Sequence, residues 1–280
     1  MIAEGRIAVE GGALAWDSLG DGPPLLLLHG FSFDRRAWEP QIATLARHRR
    51  VIRYDLRGFG ASSLPIGPYC HVADLQRVVE VLRLEQPAVL GLSLGAVIAL
   101  NYAAAFPDRL SALILASPGL PGWRWTSKRP PDAAAEQARA HGVEAARAFW
   151  LAHEIFASAR RRPGAYEAIA SLINDYHGWH WRSGDAPVWT PGLIDLLDLV
   201  TTRTLVISGE RDVEGYRDIA RALAERLPDA ELVRLDAGHT LNIEAPEAFN
   251  TVVDGFLTAD AQSPARVSSQ VGADCGAGSR

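Results

Sequence analysis

A serine between two glycines, Gly91-Leu92-Ser93-Leu94-Gly95, stands where an apolar run (residues 87–92) gives way to an Ala- and Leu-rich stretch (94–106). In a G-x-S-x-G turn between a strand and a helix, the glycines sit where side chains would collide. The serine hydroxyl is lifted above the sheet edge, and the helix N-terminus faces any negative charge that develops there. The chemistry is nucleophilic attack by Ser93. A hydroxyl is a weak nucleophile at neutral pH, so a base must lie within hydrogen-bond reach.

Of eight histidines, His239 is placed best. It follows the run 231–235 through Asp236-Ala237-Gly238, so it lies on a loop at the carboxyl end of a strand, where catalysts of open α/β sheets gather. His48, His71, His141 and His153 fall on helical stretches or their ends, and His177 and His180 in a segment with no clear strand. The acid that orients the base should follow a strand lying between serine and histidine in sequence. Ser208-Gly209-Glu210-Arg211-Asp212 meets that condition, with Asp212 the choice and Glu210 the nearest competitor. Asp236 is too close in sequence to His239 and reads as a loop carboxylate.

Parallel strands must position these loops. Two alternating runs around Glu10-Gly11-Gly12 predict a hairpin. Residues 25–28, four consecutive leucines, predict a strand buried on both faces. A polar helix over 35–48, a strand over 50–54 and a helix over 72–84 follow; apolar residues at 72, 75, 78, 79 and 82 have helical spacing. The strands 87–92 and 110–116 enclose the helix 94–106. This alternation predicts an α/β fold, a mostly parallel eight-stranded sheet flanked by helices. Between 117 and 200 no strand is evident, and helices are expected over about 132–156 and 164–176. The alternation resumes with a strand at 204–208, a helix at 216–227, a strand at 231–235 and a helix at 246–257. The chain divides into a core of 1–117 and 201–257, a helical cap of 118–200, and a small, polar tail of 258–280 expected to be disordered.

Composition narrows the classes of partner. The 280 residues are 48% hydrophobic and carry a formal net charge of −5. Scattered arginines and an acidic balance argue against nucleic acid. No apolar run is long enough to span a bilayer, and no signal peptide is read, so a cytoplasmic location is expected. The two cysteines, Cys70 and Cys275, make no disulfide framework, and no Cys/His spacing resembles a metal site. Monomer and homodimer remain equally open.

The blocks His29-Gly30-Phe31, Asp55-Leu56-Arg57-Gly58-Phe59-Gly60-Ala61-Ser62, Gly91–Gly95, Gly209-Glu210-Arg211-Asp212 and Gly238-His239 together resemble the α/β-hydrolase superfamily over about residues 5–257. The stretch from His29 to Trp38 is similar to small bacterial carboxylesterases, 3-oxoadipate enol-lactonases and cofactor-free perhydrolases. The resemblance implies that the backbone N–H groups of Phe31 and Leu94 form an oxyanion hole, that His29 braces its loop, and that Asp55–Ser62 is a structural turn. It also favours Asp212: the family's alternative acid position, after the strand 110–116, holds Ser117-Pro118-Gly119. A serine at the elbow argues against haloalkane dehalogenase and epoxide hydrolase chemistry, and the His-Gly-Gly-Gly block of one esterase branch is lacking.

The expected activity is carboxylesterase chemistry through an acyl-enzyme on Ser93, with no metal or organic cofactor, acting on a small ester-like molecule. A lactonase, a C–C hydrolase, a perhydrolase or a non-catalytic ligand-binding protein are the alternatives. Six of eight tryptophans lie in the insertion. Trp125, Trp150, Trp179 and Trp181 are candidates to roof an apolar pocket for a hydrophobic or aromatic substrate; the competing reading is that they form the core of the cap.

Overall fold

In the computed structural model, residues 3–126, 128–183, 187–189 and 192–260 are described. The chain opens with a hairpin of β1 (Ala3–Val9) and β2 (Gly12–Leu19) in register Val9 to Gly12, closed by Glu10 and Gly11. β3 (Pro24–Leu28) follows. All four of its leucines are fully buried, as expected of a strand covered on both faces. Truncating any one to alanine should cost about 2–5 kcal/mol.

The next segment departs from the single helix read over 35–48. It begins as a 3-10 turn, Arg35–Trp38, whose first turn is capped by the Asp34 carboxylate accepting from the Arg36 N–H at 2.9 Å. It becomes α1 only over Glu39–Leu45. Pro40 has no N–H to offer the carbonyl of residue 36, so the α pattern cannot run through this point.

β4 (Arg50–Tyr54), α2 (His71–Val81), β5 (Ala88–Leu92), α3 (Leu94–Ala105) and β6 (Ala112–Ala116) complete the first part of the sheet. The insertion then holds α4 (Pro130–His141), α5 (Val143–Ala152), α6 (Pro163–Asp175) and α7 (Trp179–Ser183), joined by 3-10 turns. The helix expected over 132–156 is therefore two helices and a turn. Gly142, at φ 88° and ψ 171°, ends α4 and begins α5; only glycine takes that conformation without strain.

β7 (Thr204–Gly209), α8 (Glu214–Arg226), β8 (Ala230–Leu235), α9 (Leu241–Glu244) and α10 (Pro246–Asp260) close the fold. Helix α10 runs through Thr258–Asp260, which were read as the start of a disordered tail. Phe256 and Leu257 are buried at its end, and the Thr258 hydroxyl donates to the Asp254 carbonyl at 2.7 Å, so the helix continues past its last apolar anchors. The rest of that tail, with Cys275, lies outside the described residues.

The eight strands form one sheet in the order β1-β2-β4-β3-β5-β6-β7-β8. Pairing is antiparallel from β1 to β2 and β2 to β4, and parallel from β4 onward. Every residue of β5, β6 and β7 is buried, which requires cover on both faces. Helix α3 packs on β3, β5 and β6, α8 on β7 and β8, while α1 and α10 pack together. The consequence for the site is topological. The loops after β3, β5, β7 and β8 all leave the same edge of the parallel sheet, the edge at which such folds assemble binding groups. No helix among the described residues is long and apolar enough to cross a membrane.

Candidate active site

Ser93 occupies the single residue between β5 and α3, with φ 53° and ψ −106°. A positive φ on a residue with a side chain costs of order 1–3 kcal/mol and persists only where the surroundings enforce it. The surroundings here are the two flanking glycines. A Cβ on Gly91 would stand 2.2 Å from the carbonyl carbon of Gly95, and one on Gly95 would stand 2.1 Å from the Leu28 carbonyl oxygen. No other residue fits either place without moving backbone. The Ser93 N–H donates to the Ala116 carbonyl at 2.9 Å, tying the turn to β6.

The loop after β8 brings the His239 imidazole to this serine, with Nε2 2.9 Å from Ser93 Oγ. Nδ1 lies 2.9 Å from Asp212 Oδ2 and 3.1 Å from Oδ1. A carboxylate only accepts, so Nδ1 carries the proton and donates to Asp212, leaving Nε2 to accept from the serine hydroxyl. Asp212 and His239 are both buried. Asp212 is also held from behind, accepting the Val213 N–H at 2.7 Å. Glu210, the competing carboxylate, is exposed on its loop. Asp236 is turned away toward Arg211 and Arg162.

Two residues brace this constellation without any strong signal in the sequence. Glu244, on α9, is buried and accepts the Gly238 N–H at 2.9 Å and the Thr240 hydroxyl at 2.8 Å. It thus grips the backbone on both sides of His239. Tyr216, on α8, packs its ring against the imidazole at 48° with centroids 4.2 Å apart. Burial, and then the charge of Asp212, push the Tyr216 phenol well above its ordinary pKa, so it remains a donor. An i+4 spacing from Asp212 through the start of a helix was the only clue available to find it.

The loop after β3 carries Phe31. His29 is fully buried and joins this loop to the next: its Nε2 accepts the Leu56 N–H at 3.0 Å, so its Nδ1–H donates to the Gly30 carbonyl at 2.8 Å. Burial lowers the His29 pKa, with Asp55 partly offsetting it. Asp55 accepts the N–H groups of Arg35 and Ala61, both at 2.8 Å, and pairs with the Arg35 guanidinium. Leu94 is the first residue of α3, so its N–H has no partner within the helix.

Two spaces meet at Ser93. A cavity of about 1070 Å³ extends over Leu94, Val97 and Leu120 beneath Trp123, Trp125 and Trp181. On the His239 flank, a recess between Phe33, Trp150, Ile155 and Phe156 leaves only about 10 Å³ free. Ser93, Phe31, Pro131 and Tyr216 border both. Of the four tryptophans expected to roof a pocket, Trp150 borders the recess, and Trp125 and Trp181 the cavity. Trp181 is fully buried and Trp150 nearly so, so both also serve as packing. Trp150 further donates its indole N–H to Ser32 Oγ at 2.8 Å. Trp179 borders neither space. Two positions apart on α7, Trp179 and Trp181 cannot share a face, and Trp179 instead packs edge-on to Tyr69. Trp123 and Trp189 also border the cavity.

Comparison with known proteins agrees with this architecture. The family profile described as alpha/beta hydrolase fold matches residues 23–246. A poly(3-hydroxyalkanoate) depolymerase of Ectopseudomonas oleovorans is 29% identical over 253 residues, spanning 85% of this chain and 86% of its own. Among solved structures, the enol-lactonase of Burkholderia xenovorans LB400 superposes with a TM-score of 0.78 at 29% identity, covering 91% of this chain and all of its own. A thermophilic esterase of Thermogutta terrifontis superposes with a TM-score of 0.77 at 28% identity, covering 92% and 99%. The chain belongs to the α/β-hydrolase fold family.

Proposed function

We propose that the protein is a serine hydrolase that cleaves carboxylic esters of small hydrophobic or aromatic substrates through an acyl-enzyme on Ser93. The observation that carries the reading is the unbroken hydrogen-bonded chain from Ser93 Oγ through His239 to Asp212, ending on a serine held at positive φ. An esterase, an enol-lactonase and a poly(3-hydroxyalkanoate) depolymerase are among the proteins it resembles, and their names support the same class.

Ser93 Oγ attacks the substrate carbonyl carbon while His239 Nε2 takes its proton. The Phe31 and Leu94 N–H groups receive the oxyanion; a donor of this kind is typically worth about 10²–10³ in kcat. The C–O bond breaks as His239 returns the proton to the departing alkoxide. Water then takes the alcohol's place, gives a proton to His239, and releases the acid with Ser93 restored. Asp212 stays ionised throughout and holds the imidazole in its working tautomer. The segment 118–200 acts as a cap over the core formed by 1–117 and 201–257, with Trp123, Trp125, Trp181 and Trp189 on the wall of the cavity.

The test is hydrolysis of methyl acetate, methyl butyrate and methyl octanoate, followed by acid release, with wild type and with Ser93→Ala. Turnover by wild type with loss of most of the rate in the variant is the expected result. Equal, poor rates for both proteins would discard the ester reading.

A further inference from the structure

We infer that the substrate is lopsided: a bulky, largely apolar acyl group joined to a leaving group no larger than methanol. This inference rests on the serine-hydrolase reading of the site. It adds which arm of the ester lies on which side of Ser93.

The assignment follows from the direction of proton transfer. The leaving oxygen takes its proton from His239 Nε2, so the leaving group must lie on the histidine flank of the serine. His239 borders the recess and does not border the large cavity. The leaving-group side is therefore the recess walled by Phe33, Trp150, Ile155 and Phe156, with about 10 Å³ free. That is about the least space that holds one water. Deacylation retraces acylation with water in place of the alcohol, so a water-sized space at this point meets the second half of the cycle as it stands. The same walls oppose any alcohol much larger than methanol. Phe33, Ile155 and Phe156 are buried in the core, so widening the recess disturbs packing rather than displacing a free side chain.

The acyl arm points the other way, over Leu94 and Val97. The cavity there, about 1070 Å³, lies just above the range of about 300–1,000 Å³ usual for small-molecule pockets. Four of its charged residues, on α4 and just before it, pair with one another, Lys128 with Glu136 and Arg129 with Asp132, and Arg139 on α4 stands outside these pairs. The rest of its wall is dominated by tryptophan and aliphatic side chains. Such a wall holds an aromatic or long apolar acyl group.

Two isomers test the polarity of the site. Methyl phenylacetate and benzyl acetate contain the same atoms and leaving alcohols of nearly equal acidity, but place the ring on opposite sides of the ester. Wild type should favour methyl phenylacetate by roughly tenfold or more in kcat/KM, within the range that apolar fit delivers. Ile155→Ala, which widens the recess, should shrink that ratio. The ratio is unaffected by a variant that is partly unfolded. If wild type hydrolyses benzyl acetate as well or better, and Ser93→Ala abolishes this, the lopsided-substrate inference is overturned while the serine-hydrolase reading stands. If Ser93→Ala retains the rates, or if neither isomer turns over, the ester reading fails and the inference with it.

Discussion

The Tyr216 ring packs against the His239 imidazole with centroids 4.2 Å apart, and Tyr216 borders, with Ser93, both spaces that meet at the serine. Ser93 uses its own hydrogen toward His239, so its oxygen can accept from a phenol. Tyr216→Phe keeps the ring contact and tests for a hydrogen bond to Ser93, which would be worth about 0.5–1.5 kcal/mol. The expected result is a fall in kcat of roughly threefold to tenfold, with little change in thermal midpoint. Tyr216→Ala also removes the ring, and it should lose clearly more. Equal rates for wild type and Tyr216→Phe would remove Tyr216 from the proton path and leave it a packing residue.

Asp212 and Glu210 can be separated by one pair of variants. Asp212 contacts Nδ1 through both oxygens, so Asp212→Asn presents an amide donor to a ring nitrogen that must itself donate. The imidazole is then driven to the wrong tautomer, and kcat should fall by about 10³–10⁴. Glu210→Gln, on an exposed side chain, should leave ester hydrolysis within a factor of about two, since surface substitutions act within about 0.5 kcal/mol. A large loss in Glu210→Gln with a small one in Asp212→Asn would reverse the assignment.

The elements that position Ser93, Asp212 and His239 were the most legible in the sequence, because each obeys a rule of local geometry. Gly91 and Gly95 exclude any Cβ, so the elbow is written in residue types. The leucines of β3 sit in a strand buried on both faces, and they read as such. What was not legible depends on side chains that meet from distant elements. Tyr216 and Glu244 reach the site only because α8 packs on β7 and β8 and α9 packs against α6 and α10. The tryptophans were legible as a group but not one by one: Trp181 faces inward and Trp179, on the same short helix, does not. The break at Gly142 was available in principle, but the apolar spacing on either side runs on as though the helix were continuous.

Glu244 offers a test of how the His239 loop is held. Its carboxylate accepts from Gly238 and Thr240, one residue to either side of the histidine. Gly238 itself is hemmed in, since a Cβ there would lie 2.7 Å from Ser158 Cβ. Glu244→Gln keeps the shape but cannot accept through its nitrogen, so one of the two donors is left buried without a partner. A hydrogen bond to a charged group contributes about 1.5–3 kcal/mol, and the urea midpoint should fall accordingly. Activity should fall too, mainly in kcat, because the loop that aims Nε2 loses a tether while the acyl cavity is untouched. A variant with normal midpoint and normal kcat would show that the loop needs no such anchor.

Buried neutral histidines set how stability responds to mild acid. Burial lowers His180 from 6.5 to about 3, with the neighbouring His177 and His29 adding to the shift. His71 and His29 are lowered for the same first reason, and each is almost wholly buried. His180 Nδ1 shares a 2.8 Å hydrogen bond with the Tyr176 hydroxyl, and its ring stacks on Phe59 at 4.2 Å. In the unfolded chain these groups take up protons near pH 6.5, whereas the folded chain does so only at lower pH, about 3 for His180. Between those limits the unfolded state binds more protons, so stability is full above about pH 6.5 and declines as the pH falls. Each such histidine contributes a slope of up to about 1.4 kcal/mol per pH unit. The urea midpoint should therefore be lower at pH 5.5 than at pH 7.5, a window above the ordinary carboxylate range. His180→Gln should narrow that gap whatever it does to the absolute midpoint, because the substituted side chain has no proton to gain. An unchanged gap in the variant would mean that His180 is already protonated in the folded protein.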